Sequence, residues 1–336
     1  MPIKKLPNTL LLANIAFLTA NLLWGATGPV IKFTLNQIPP FTLLFLRLLI
    51  VCTLLLPYVI VKLTEIKISK KDYLNFFLLG LLAQSSLAVI FVALKFTSVL
   101  DTTIISVITG ALIVYAGHYF YKEKVHKLVS YGLIITIVGT IFVVLEPFLS
   151  GSLNHVPITE RLIGNILALI YNLTWVVFVV WSKMISSKET SGNLKKAIKL
   201  IKIRPMSKTY PSVLVAAITM YVGLATTIPL AILENFGKLG NYSFNISQIS
   251  VGTIAGVFYL AICGSITAFT LNQWALAHGK ISDSAILSYL GPVFAFPVAF
   301  LLLGELPTPY LLIGASIVAI GVIIAEAGNS GKAKSR

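Results

Sequence analysis

The stretch NIAFLTANLLWGATGPVIK at residues 14–32 returns at residues 165–183 as NILALIYNLTWVVFVVWSK. At this spacing Asn14, Asn21, Leu22, Trp24 and Lys32 fall on Asn165, Asn172, Leu173, Trp175 and Lys183. Each copy is an almost uninterrupted apolar run of about 20 residues, the length needed to cross about 30 Å of hydrocarbon. Further along, Ala93-Leu94, Asp101, Ser106, Glu123, Gly132 and Gly139 fall on Ala275-Leu276, Asp283, Ser288, Glu305, Gly314 and Gly321, with Pro57 on Pro229 between the two blocks. The chain is therefore a duplicated unit.

Working outward from the repeat, apolar runs of spanning length recur at residues 10–31, 41–61, 73–94, 101–121, 128–145, 162–181, 212–233, 250–273, 283–303 and 309–325. Ten spans make two units of five, residues 9–146 and 162–326, with a basic cytoplasmic loop at about 183–211 in the second. Because five is odd, the second unit enters the membrane upside down relative to the first. The expected fold is an all-α integral membrane protein of about ten transmembrane helices, in two five-helix repeats of inverted topology. Such symmetry suits secondary transporters, whose substrate site lies between the repeats near the midplane.

Composition agrees. Apolar residues make up 57% of the chain and charged residues 11%, and the mean hydropathy is +0.91, outside the range of soluble domains. The N-terminal Lys4 and Lys5 precede an apolar run too long for a signal-peptide core, so it reads as the first span. Cys52 and Cys263 fall inside spans and read as packing residues.

A net charge of +15 would suggest nucleic acid in a soluble protein; here its distribution sets orientation. Alternate connections and the two ends hold nearly all the Lys and Arg, while the opposite connections hold Lys32, Lys95, Arg161 and Lys238. Both termini are thus expected in the cytoplasm, in a multi-pass protein of the plasma membrane. In residues 194–203, Lys195, Lys196, Lys199 and Lys202 share one helical face, as in a segment lying on anionic lipids of the cytoplasmic leaflet. No aromatic interleaving supports a nucleic-acid partner.

The order of these features resembles the drug/metabolite transporter superfamily, specifically its EamA-type ten-helix branch. The resemblance is carried by Leu23-Trp24-Gly25 with Lys32, Pro39-Pro40 before Arg47, and Ala93-Leu94 in the first half. In the second half it is carried by Gly264-Ser265, Ala275-Leu276, Gly291-Pro292-Val293, Leu303-Gly304-Glu305, and Gly314 with Gly321. It implies a metabolite or amino-acid transporter, commonly an exporter, with a cavity between the halves. One departure is Thr109-Gly110-Ala111, where a proline like Pro292 is expected.

Arg47 stands inside an apolar run, where an arginine costs about 2.5–3.5 kcal/mol at the helix centre; it binds a carboxylate or phosphate of the substrate, snorkels, or pairs with loop carboxylates or backbone carbonyls. Asn14, Asn21 and Trp24 form one stripe on span 1 that Asn165, Asn172 and Trp175 repeat on span 6, read as facing each other, with interhelical hydrogen bonding and substrate binding both open. Gln84, Tyr115, His118, Asn272 and Tyr289 complete the candidate substrate-binding set. Asp101 and Asp283 read as helix N-caps. Gly132/Gly139 and Gly314/Gly321 read as close-packing faces, within one molecule or between subunits of a homodimer.

Carboxylates cluster at span ends, which favours a facilitator or exchanger over a proton or sodium relay. Four histidines, at 118, 126, 155 and 278, give no metal or catalytic spacing. The chain thus reads as no enzyme, with no cofactor or metal, whose partner is a small-molecule substrate. The expected cargo is an amino acid or related carboxylate. A phosphorylated or lipid-like cargo, or ligand sensing without transport, remain the alternatives.

Overall fold

The computed structural model describes residues 7–121, 127–151, 156–187, 206–239, 245, 247, 249–279 and 290–330. The expectations for the basic 194–203 segment, Glu123, Asp283 and Tyr289 lie outside the described residues.

The described chain is helical. Span 1 comprises α1 (Pro7–Gly25) and α2 (Thr27–Thr34); span 2 is α3 (Pro40–Glu65). Span 3 runs through α4 (Tyr73–Gly80), a π-helical turn at Leu81–Ser85, and α5 (Leu87–Phe96). Spans 4 and 5 are α6 (Val99–Tyr121) and α7 (Lys127–Val144), followed by the short α8 (Pro147–Ser150). In the second unit, α9 (Ile158–Ser187) and α10 (Ser212–Asn235) are spans 6 and 7. Span 8 is α11 (Val251–Ala261), a π-helical turn at Ile262–Thr267, and α12 (Ala268–His278); α13 (Gly291–Leu303) and α14 (Pro309–Ser330) end the bundle. Among the described residues eight spans meet the length for crossing a membrane and two shorter apolar helices bring the number to ten.

Local chemistry starts and stops these helices. Pro39-Pro40 puts an extended residue before N1 of α3, since proline restricts the residue before it and presets the first helical turn. Ser250 caps α11 by accepting from the Thr253 N–H, and Gly304, at φ +65°, ends α13 in the left-handed conformation that glycine tolerates.

Polar contacts fix which connections share an end. At one end Glu305 of the α13–α14 connection reaches Lys32 of α2 (3.0 Å) and the Val99 N–H of α6 (2.9 Å). There too, Glu234 at the end of α10 accepts from Phe41 and Thr42 of α3 (3.1 and 2.7 Å), and Arg161 of α9 meets Glu146 beyond α7. This is the lysine-poor end. At the lysine-rich end Asp72 accepts from Ser207 and Tyr210 ahead of α10. Successive spans thus alternate direction, and the second unit is inverted relative to the first.

Packing follows the repeat. α7 lies along α14, α3 along α10, and the α1–α12 contact has its mirror in α5–α9. The four glycines of spans 5 and 10 meet within this one chain: a Cβ on Gly321 would stand 2.6 Å from the Thr136 N, and one on Gly139 2.8 Å from the Val318 N. Backbones approach this closely because lipid-embedded helices associate by van der Waals contact.

Replacing Gly321 by Leu should therefore force the two backbones apart, at a cost of about 1–3 kcal/mol or more. The expected readout is a lower unfolding temperature in detergent. Gly252→Ala is the control, because its Cβ would meet nothing nearer than 3.4 Å; it should leave the temperature unchanged.

Candidate functional site

Span 1 is interrupted at Ala26, spans 3 and 8 carry π-helical turns, and these three irregularities meet around one cavity of about 230 Å3. The volume lies below the roughly 300–1,000 Å3 typical of drug-sized ligands and suits a small metabolite. Apolar side chains of Ile31, Leu87, Ile90 and Leu94 line one part, and the hydroxyls of Thr27, Thr102, Thr103, Ser106 and Thr109 another. On its lysine-rich side Trp24, Trp175 and Phe269 form an aromatic floor, with Trp24 edge-on to Trp175 at 5.4 Å between ring centroids.

Six of the ten residues expected from sequence line this cavity: Asn21, Trp24, Arg47, Gln84, Asn172 and Trp175. Arg47 is 3% exposed, with its Nε donating to Ser265 Oγ (2.6 Å), its guanidinium 6.0 Å from the centre of the Phe91 ring, and its Nη1 without a partner among the described residues. It does not snorkel. Gln84, 1% exposed and held in the first π turn, has an unpartnered Oε1. Trp24 Nε1 donates to the Gly264 carbonyl in the other π turn (2.9 Å), and Asn172 accepts from Thr109 (2.8 Å) while donating to the Ala168 carbonyl.

The remaining expected residues lie elsewhere. Tyr115 is half exposed on the outer surface of α6, stacked on Tyr119, and His118 is exposed one turn along. Asn272 is buried on α12 away from the cavity lining, its Nδ2 without a partner, and Tyr289 is outside the described residues. The two amide stripes meet only in part, because α1 and α9 run in opposite directions. Asn21 and Asn172 reach the cavity, whereas Asn165 is bound at the lysine-poor end to Thr97 and to the Val143 and Val144 carbonyls.

Sequence reasoning missed the residues that shape the site from outside. Ser265 positions Arg47, but an isolated serine in an apolar run gives no such signal. Arg161 reads as a loop residue from sequence, yet it is 2% exposed and shared between Glu146 (2.6 Å) and Asp101 (3.4 Å). Asp101 is consequently not the N-cap of α6: the Ser98 hydroxyl accepts from the Asp101 N–H (2.9 Å), and the carboxylate turns to Arg161. Lys183 likewise is buried and donates to the Leu276 and Gly279 carbonyls (3.1 and 2.6 Å) instead of standing in a loop.

The model of the EamA-like transporter family matches residues 11–145 and 197–326. The chain belongs to this family. The EamA-like chain is 26% identical over 308 residues to an uncharacterized transporter of Archaeoglobus fulgidus, covering 91% of this chain and 94% of the relative. A probable terminal-alkyne amino-acid exporter of Streptantibioticus cattleyicolor is 28% identical over 123 residues, 36% of this chain and 38% of that protein. A crystal structure sharing 17% identity superposes with a TM-score of 0.59 over 93% of this chain and 96% of the other, which shows a common fold. The EamA-like chain is thus an integral, multi-pass membrane protein of a transporter family.

Arg161 is a scaffold element of this bundle. Arg161→Met would leave two buried carboxylates without their shared cation, a loss of about 3–5 kcal/mol. Unfolding in detergent should shift accordingly, and Asp101→Asn in the same chain should recover part of the loss.

Proposed function

We propose that the chain is a secondary transporter or facilitator that exports a small metabolite, an amino acid or related carboxylate, through this cavity by alternating access. The observation that carries the reading is Arg47, a buried guanidinium in the cavity lining with an unpartnered Nη1 and no ion pair among the described residues. A charge in hydrocarbon asks for a counter-charge, and a bound carboxylate supplies one with directional hydrogen bonds. Trp24, Trp175 and the aliphatic side chains accommodate an apolar body beside it.

Alternating access is supported by the inverted repeat and by the packing on the lysine-rich side of the cavity. There α1, α9 and α12 close over buried Phe17, Phe178 and Leu276. Asn14 Oδ1, Trp181 Nε1, Asn272 Nδ2 and Gln273 Nε2, all on these three helices, are buried without a partner among the described residues. Unsatisfied polar atoms are costly in the closed arrangement, and opening the three helices to water would relieve them. The export direction follows the amino-acid exporter among the relatives. The excess of Lys and Arg at one end supports a cytoplasmic location for that end and for both termini, in a plasma-membrane protein whose basic end meets anionic lipid. A phosphorylated cargo is served less well, since Lys32 is engaged by Glu305 and the Thr97 carbonyl outside the cavity lining.

The test is uptake of a labelled amino-acid and metabolite panel into proteoliposomes, with and without a pH gradient. Saturable, gradient-independent flux of a carboxylate is expected, and Arg47→Ala should reduce it about ten- to a hundredfold, the value of a charge-assisted bond worth about 1.5–3 kcal/mol. Saturable binding with no flux would replace transport by ligand sensing.

A further inference from the structure

The cavity's charge and hydrogen-bond inventory narrows the cargo further. Among the described residues that line it, Arg47 carries the one formal charge: no Asp, Glu, Lys or His takes part. Many polar atoms of the lining are already committed, while the Tyr171 hydroxyl and the Asn21 Oδ1 carry no hydrogen bond among the described residues. Asn21 Nδ2 donates to the Phe17 carbonyl (2.8 Å), Trp24 to Gly264, and Asn172 is bound through both its oxygen and its nitrogen. The hydroxyls of Thr27, Thr102, Thr103 and Ser106 donate to carbonyls of their own spans.

Two fully buried side-chain atoms of lining residues have no partner among the described residues: the cationic donor Arg47 Nη1 and the neutral acceptor Gln84 Oε1. Gln84 is also fixed in place. Its π turn packs on α10, where a Cβ added to Gly223 would stand 3.2 Å from the Gln84 Cγ.

A bound ligand that satisfies both groups has one carboxylate and one neutral donor. We propose that the site selects an α-hydroxy monocarboxylate with an apolar side chain over the zwitterionic amino acid of the same skeleton, an inference that rests on the cavity being the substrate site. The carboxylate neutralises Arg47, and the hydroxyl donates to Gln84 Oε1. An ammonium in the hydroxyl's place brings a second positive charge to a lining that, among the described residues, offers neutral acceptors and no carboxylate. Carboxylate and guanidinium already cancel, so the ammonium charge stays uncompensated in a low-dielectric site, and its desolvation is not returned. A hydrogen at that position instead leaves Gln84 unsatisfied, the situation in which buried polar groups discriminate strongly.

Binding of labelled leucine, of its α-hydroxy analogue and of isocaproate, which carries hydrogen at the same carbon, is measured on the full chain in detergent by scintillation proximity. The hydroxy acid is expected to bind at least tenfold more tightly than leucine and several-fold more tightly than isocaproate. Gln84→Leu should remove the preference for the hydroxy acid over isocaproate. The wild-type comparison needs no variant, so a misfolded Gln84→Leu protein leaves the inference testable.

Leucine binding as tightly as the hydroxy acid, with both lost in Arg47→Ala, overturns the inference and leaves the cavity as an amino-acid site. A preference that persists in folded Gln84→Leu protein overturns the role of Gln84. Failure of every carboxylate to bind overturns both this inference and the reading on which it rests.

Discussion

In hydrocarbon a backbone N–H or C=O has no water to turn to, so irregular helix is tolerated only where protein or a cavity satisfies the freed groups. This constraint organises the bundle. At the break in span 1 the Leu23 carbonyl accepts from Thr27 Oγ1 (3.2 Å) and from Tyr259 Oη (2.7 Å), which arrives from span 8. In the second π turn the Gly264 carbonyl accepts from Trp24, and Ser265 Oγ donates to the Leu260 carbonyl while accepting from Arg47. In the first, Ser85 and Thr226 join hydroxyls at 2.6 Å. Each irregularity is thus stitched to another span, and the same stitches hold the cavity walls. π turns recur at functional sites because they widen a helix and re-aim its side chains; here the two occupy corresponding positions in the repeats and place Gln84 and Ser265.

A similar accounting applies to charge. The described carboxylates buried in the bundle have structural partners: Asp72 binds Ser207 and Tyr210, Glu234 caps α3, Glu305 caps α6 and pairs with Lys32, and Asp101 and Glu146 share Arg161. They all belong to the ends of the bundle, where they fasten one repeat to the other or one connection to its neighbour. None remains for Arg47. Its position deeper along α3 is therefore the place where the fold carries an electrostatic demand that no described carboxylate meets.

How much of this was legible in the sequence depends on whether a residue announces its environment. Span number and inversion follow from length, periodicity and the placement of lysines, all of which are bulk properties of a chain in lipid. Arg47, Gln84, Asn21 and Asn172 stand out because polar groups in apolar runs are costly and seldom occur without a reason. The burial of Arg161 and Lys183 is invisible by the same logic, since a cation near a span end is unremarkable until tertiary contacts cover it. Tyr115 and His118 show the converse: they sit at plausible spacing on a span that borders the cavity, but on its outer face, and α6 alone does not reveal which face that is. The π turns leave no signal, because one extra residue in a helical turn alters neither hydropathy nor propensity.

The repeat also reaches into details that a shared ancestry need not have kept. Lys32 Nζ donates to the Thr97 carbonyl (2.6 Å), and Lys183 Nζ to the Gly279 carbonyl (2.6 Å), pairs of positions that correspond between the units. The two ends of the molecule, opposite in the membrane, are therefore fastened by the same clasp, a span 1 or span 6 lysine on the carbonyl that closes span 3 or span 8. The symmetry fails at the centre. α6 runs unbroken through Gly110, whereas at the matching position of the other unit Pro292 stands in the first turn of α13. Alike at the ends and unlike beside the cavity, the two repeats give the molecule equivalent closures and a single asymmetric site. In this structure the cavity's lining draws on Ile31, Leu94 and Thr102 toward the lysine-poor end, while the opposite end is filled by Phe17, Phe178 and Leu276.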